Sequence, residues 1–317
     1  MWKTPLKHFG HNIALVAASL YLHAGSQAQT TELGDNFHLI NGDARWLLLE
    51  KIPLQFNTYH PQGLVKVGQH FFLSSVETTE QPQVLSESDS NSGYDRSPGA
   101  GVAHLFKFDD AGNLLDQITL GENNFYHPGG IDSDGEAIWI SVAEYRPESH
   151  SIIYRIDPET LEAEEVLRFD DYLGAIIHDS QKSTLYAVNW GSKYHYSWRA
   201  VDGVYAADEF TRTRARGSNI EYQDCQYLPT SLMLCSGIGD YSIDNTHTFT
   251  IGGIELVNLD SKQIEHRITL TNTTETGEFL VRNSSYFEFQ SLGKSNFYFV
   301  PEDNHSSLYK YAVESTP

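Results

Sequence analysis

The chain has 317 residues, with 42 acidic side chains against 21 lysines and arginines, a formal charge of −21 at neutral pH. A surface of that sign repels phosphate backbones and argues against nucleic acid as a partner; it suits cationic ligands, metal ions, or simple solubility. Two cysteines are too few for a disulfide scaffold.

The N-terminal segment reads as an export signal. Lys3 and Lys7 precede an apolar run from Ile13 to Leu22, and Ser26-Gln27-Ala28 supplies small residues at a cleavage site. The run is shorter than the ~20 residues a membrane helix needs, and no later stretch is apolar for long enough to span a bilayer. The expectation is a signal peptide over 1–28, then one domain over 29–317 that is periplasmic or secreted. Losing two lysines makes the mature chain still more acidic.

Arg45 to Phe56 follows as a lone strand. Next comes an internal repeat: residues 60–77 (HPQGLVKVGQHFFLSSVE) align without a gap on 127–144 (HPGGIDSDGEAIWISVAE). Identical pairs are His60/His127, Pro61/Pro128, Gly63/Gly130, Gly68/Gly135, Ser74/Ser141 and Glu77/Glu144. Strand-turn-strand units recurring at this spacing predict an all-β propeller of four-stranded blades. A polar insert from Thr78 to Ala100 interrupts the first blade and reads as a surface loop; its Asp89-to-Asp95 stretch only faintly matches a calcium loop.

A third blade begins at Leu173 and runs to about Arg216, where Arg212, Arg214 and Arg216 alternate on an outer strand. The alternation of Tyr194, Tyr196 and Trp198 reads as a buried strand face. The fourth blade begins at Tyr222; in it Cys225 and Cys235 flank a turn symmetrically, opposite each other in a hairpin of that register, with the bond left open. The fifth has three strands after Tyr286. If Arg45–Phe56 supplies its fourth, the ring closes on both termini with five blades; six is the alternative, and the space between 195 and 222 is tight for it.

Residues before a blade's first strand and after its second share one end of the channel. His60, Glu77, His127 and Glu144 therefore meet at one rim as candidate ligands for a divalent ion, Zn or Mn by their nitrogen and oxygen donors, Ca by the carboxylates. His60, His127 and Arg146 are the candidate catalytic residues. Tyr145, Asn189, Trp190, Gln223 with Asp224, Asp240, Glu288 and Glu302 with Asp303 occupy equivalent rim positions and are candidate substrate contacts. The competing reading is that both histidines fasten their His-Pro turns. His178 lies beside the opposite turn and is left out.

The segments HPQGL, FFLSSVE, YHPGGIDSDGEAIWISVAEYRP, YRIDPETLEA, EYQDCQYL and FYFVPED resemble a family of exported bacterial and fungal β-propeller proteins of unknown function, over residues 36–313. More distantly the blades are similar to gluconolactonase and strictosidine-synthase-like propellers, which implies a metal at one channel end; histidines at two leading positions here depart from the Glu, Asn and Asp ligand set of those families. The expected function is metal-dependent hydrolase or lyase chemistry on a small polar molecule or oligosaccharide. The alternative is a non-catalytic propeller that binds a ligand or a protein partner.

Overall fold

In the computed structural model, which describes residues 33–85, 94–244 and 246–315, the short apolar runs pair into five antiparallel sheets arranged as a ring. Blade one is β2 (His60–Val67), β3 (His70–Glu80), β4 (Ala100–Phe108) and β5 (Leu114–Leu120). Blade two has an inner strand broken into β6 (Phe125–Pro128) and β7 (Asp132–Ser133), then β8 (Ile138–Glu144), β9 (Ser151–Ile156) and β10 (Ala163–Phe169). Blade three is β11 (Leu173–Asp179), β12 (Thr184–Asn189), β13 (Tyr194–Arg199) and β14 (Phe210–Arg214). Blade four is β15 (Glu221–Leu228), β16 (Leu232–Ser242), β17 (Thr248–Asn258) and β18 (Ile264–Thr269).

The fifth blade contains β19 (Ser284–Ser291), β20 (Lys294–Val300) and β21 (Ser307–Glu314), and its outer strand is β1 (Arg45–Pro53). Arg45 pairs with Glu314 and Pro53 with Ser307, so the N-terminal strand closes the ring as the sequence predicts. The arginine-bearing β14 is the outer strand of blade three, which leaves no strand for a sixth blade among the described residues.

Burial follows the layering. Second strands such as β8 are buried at every position because neighbouring blades cover both faces, whereas β5 and β10 are largely exposed. Apolar side chains collect between adjacent blades: Val65, Phe72 and Leu105 meet Ile131 and Ile140 between the first two, and Leu64, Phe71 and Phe106 meet Tyr298 and Leu308 where the fifth returns to the first. Tyr196 and Trp198 are buried, as their alternation predicts. Cys225 and Cys235 are directly paired across β15 and β16 and form a disulfide.

The repeat has its explanation near the axis. A Cβ on Gly63 would lie 2.4 Å from the Ile131 nitrogen, and one on Gly130 would lie 2.7 Å from Asp224 Oδ1, so inner strands approach too closely there for any side chain. Ser74 and Ser141 donate to the carbonyls of Gly129 and Leu173, each stitching its blade to the next. At the centre, Asp224 accepts hydrogen bonds from the backbone N–H groups of Leu64, Ile131, Cys225 and Ser285 at 2.8–3.1 Å. One carboxylate thus ties together the inner strands of four blades.

Candidate functional site

His60 opens β2 opposite Val76, His127 sits opposite Ala143, and Leu173 pairs with Asn189. This register brings strand starts and second-strand ends to one rim, where a cavity of about 140 Å³ enters the channel. His60, His127, Tyr145, Asn189, Trp190 and Gln223 line it, together with Gln62, Tyr172 and Glu221. A more open hollow of about 460 Å³ shares His60, His127 and Tyr145 and extends past Glu77 to Asp303.

The two histidines differ in environment. His60 is part-exposed, and its Nδ1 lies 2.8 Å from Asp303 Oδ1. Burial raises the Asp303 carboxyl, but His60, Arg282 and Asn283 outweigh that and hold it below the usual carboxylate range. Ionised Asp303 can only accept, so Nδ1 of His60 carries the proton and Nε2 is the nitrogen that exchanges one. His127 is only 3% exposed. Its ring stacks on Tyr145 at 4.0 Å, and Nδ1 is 2.8 Å from the Tyr172 hydroxyl. Burial, reinforced by His60, pushes its pKa down to about 3, so the ring is neutral.

The two glutamates turn away into partnerships of their own. Glu77 lies 3.1 Å from Nε2 of His104, and Glu144 takes Arg146 Nε at 2.8 Å and Nη2 at 2.6 Å on one oxygen. Among the described residues no three His, Cys, Asp or Glu side chains are grouped to hold a metal ion. The donor set expected from the repeat, His60, Glu77, His127 and Glu144, is not gathered around one point.

Other expected contacts divide. Asn189 uses its side chain structurally, donating to Asp171 and accepting from the Tyr194 N–H. Trp190 meets Tyr172 edge-on at 4.7 Å and Tyr145 at 5.5 Å, giving the mouth an aromatic wall. Asp240 bonds Thr250 and lines a separate cleft with Lys193, Arg214 and Arg216. Glu288 is four residues into β19 and meets Lys66 and Tyr298, away from the mouth. Glu302 is taken by Ser306 and Tyr309. His178 bonds Asp134 and Tyr205 beside the turn at Gly135, outside the mouth as its register requires.

The insert reaches the site as well. Arg96 lies over the Trp190 ring at 5.3 Å, and the Tyr94 ring stacks under Arg146 at 3.6 Å. Residues 86–93 fall outside the described part, and with them most of the stretch matched to a calcium loop.

Several solved structures are weakly similar to the chain. The chain resembles the tail fibre of Staphylococcus aureus phage P68 at 8% identity and TM-score 0.48, covering 89% of this chain but only 55% of that one. It also resembles the mannose phosphorylase MPT-4 from Leishmania mexicana at 10% identity and TM-score 0.48, covering 92% and 93% of the two chains. The GH43 endo-arabinanase from Bacillus licheniformis matches at 8% identity and TM-score 0.46, covering 82% and 95%. Likeness at these levels carries no argument about activity. No curated protein sequence matches. One family model does cover nearly the whole chain, residues 17–316. The chain therefore belongs to DUF6454, a family of unknown function.

Proposed function

We propose that this propeller takes a small polar molecule into the channel mouth and acts on it by acid–base chemistry at His60, as a hydrolase or lyase. The observation that carries this reading is the 2.8 Å contact between Asp303 and His60, the latter lining both hollows. A carboxylate on Nδ1 fixes the tautomer and supports the imidazolium that forms when Nε2 takes a proton. Asn283 Nδ2, 3.2 Å from Asp303, and Arg282, 3.9 Å away, keep that carboxylate in place.

Panels of ester, amide, glycoside and C–O lyase substrates test the proposal. For any compound turned over, His60→Ala should cost ~10²–10⁴-fold in kcat, the usual worth of a positioned acid or base. Asp303→Asn should cost less and move the pH profile. An active compound whose rate survives His60→Ala would sink the assignment. The alternative, a non-catalytic binding propeller, is favoured by the aromatic wall of Tyr145, Tyr172 and Trp190, which suits stacking of an oligosaccharide. In that case sugars raise the melting temperature and no substrate turns over.

The divalent ion is the more demanding version of the proposal. Glu77 and Glu144 would have to leave His104 and Arg146 to join it. Elemental analysis of protein purified without added metal addresses it directly.

Export is proposed too, since residues 1–28 lie outside the described part. The order of basic, apolar and small residues supports it, and the Cys225–Cys235 bond suits an oxidising compartment. Among the described residues no helix is long and apolar enough to cross a membrane. Exported material should begin near Gln29 by mass spectrometry; an intact Met1–Leu22 segment would remove the basis for a periplasmic or secreted location.

A further inference from the structure

His127 combines deep burial with a ring nitrogen, Nε2, that has no protein hydrogen-bond partner, and the residue lines the cavity at the channel mouth. Its other nitrogen contacts Tyr172, whose hydroxyl is also buried. Counting protons decides how this pair is arranged. A neutral imidazole carries one N–H, and the phenol carries one O–H. If the proton sits on Nδ1, it donates to Tyr172, and the phenolic hydrogen is left to find another acceptor in the buried pocket. If Tyr172 donates to Nδ1, the ring proton must sit on Nε2, and the group without a partner is a buried N–H on a residue that lines the cavity. Leaving a buried donor unsatisfied costs about 1–3 kcal/mol, so the arrangement that a ligand can complete is favoured.

We infer that His127, clamped by Tyr172, presents a neutral Nε2–H donor to the oxygen of an uncharged carbonyl group on the ligand. The inference rests on the reading of the mouth as a substrate site and names the substrate class. An uncharged acceptor fits the surroundings: Glu221 lines the same cavity and Asp303 the adjoining hollow, and both disfavour carboxylates and phosphates. The nearby cations Arg96 and Arg146 already pair with Asp95 and Glu144. A neutral imidazole N–H polarises a carbonyl without adding charge to the site, while His60 beside it exchanges the proton. The stack of Tyr145 on the His127 ring at 4.0 Å holds the donor's plane.

The test is ¹⁵N NMR of the mature chain carrying ¹⁵N-histidine, with the His127 signals identified by their loss in His127→Gln. The expected spectrum shows the Nε2–H tautomer, and Tyr172→Phe should mix the two tautomers. N-methylacetamide, used as the carbonyl probe, should shift the Nε2–H resonance. An Nδ1–H tautomer, the form that a metal on Nε2 requires, overturns the inference. So does a resonance unmoved by N-methylacetamide, or one moved by acetate in its place. A glutamine side chain can place an amide N–H near the lost Nε2. His127→Gln should therefore keep N-methylacetamide binding, read at the Trp190 indole, while His127→Phe weakens it by up to about tenfold, the worth of one hydrogen bond. If the tautomer and the probe shift are found but no substrate panel gives turnover, the donor assignment stands and the catalytic reading alone falls.

Discussion

Replacing Asp224 with alanine is expected to prevent the ring from holding together. Its carboxylate accepts from Leu64 in blade one, Ile131 in blade two, Ser285 in blade five and Cys225 in its own blade. Alanine leaves all four N–H groups buried without an acceptor, each costing about 1–3 kcal/mol. Removing a polar group that is costly to bury offsets part of this, so the net loss is on the order of 3–5 kcal/mol, a large share of the 5–15 kcal/mol by which domains are stable. A fall in melting temperature of roughly 10 °C or more, or loss of soluble protein, is the expected result; an unchanged melting curve would show that the carboxylate is not what joins the blades. Asparagine keeps a carbonyl acceptor and should lose less. Burial raises the Asp224 pKa well above its ordinary value, with Asp132 adding to it, and the N–H donors only partly reverse this. A raised folded-state pKa contributes stability that is fully present below the unfolded value and is lost as pH rises through the folded one. The advantage of wild type over Asp224→Asn should therefore be greatest in acid and shrink as pH climbs above about 4.

Deleting residues 37–56 should have an effect at least as large. The cut removes β1, the outer strand of the fifth blade, and with it buried Phe37, Ile40 and Leu54 and the Trp46 ring packed 5.1 Å from Phe297. Losing a single buried Phe commonly costs 3–5 kcal/mol, and β21 would also be left as an unpaired edge prone to pair with another molecule. Aggregated or unfolded protein is expected, detected by size-exclusion chromatography and circular dichroism, with recovery when a synthetic 37–56 peptide is added during refolding. A truncated chain that melts like the intact one would refute closure by the N-terminal strand.

The architecture was legible because it rests on period and spacing. Blade order, the closing role of Arg45–Pro53, the opposition of Cys225 and Cys235 and the exclusion of His178 all follow from register. The mouth was legible only in part. Reading the repeat through just two blades found His60 and His127 but missed Tyr172 and Glu221, which hold the same leading place in blades three and four and line the same cavity. The structural pairing of Ser74, Ser141 and Ser236 with their inner strands gives the alignment that identical residues alone do not.

Matching also suggested too much. Glu77 and Glu144 match across the repeat, yet each is claimed by a cation or histidine that no spacing rule reveals, His104 on the neighbouring strand and Arg146 two residues on. Glu288 shows the limit of counting along a strand: four residues beyond Ser284 it has already moved away from the rim toward Lys66. Arg96 and Tyr94 carry no periodic signal, because a loop that folds back over a rim is placed by long-range contacts.

Closure of the fifth blade also sets an order of events during synthesis. Arg45 leaves the ribosome well before its pairing partner Glu314, far along the chain from it. Until then the first strand has no place in a sheet, and contacts of such long sequence separation form slowly. A nascent chain can fold its middle blades as hairpins, but the ring exists only once its two ends meet. During that interval the unpaired edge of the last blade is open to chaperones and to strands of other chains.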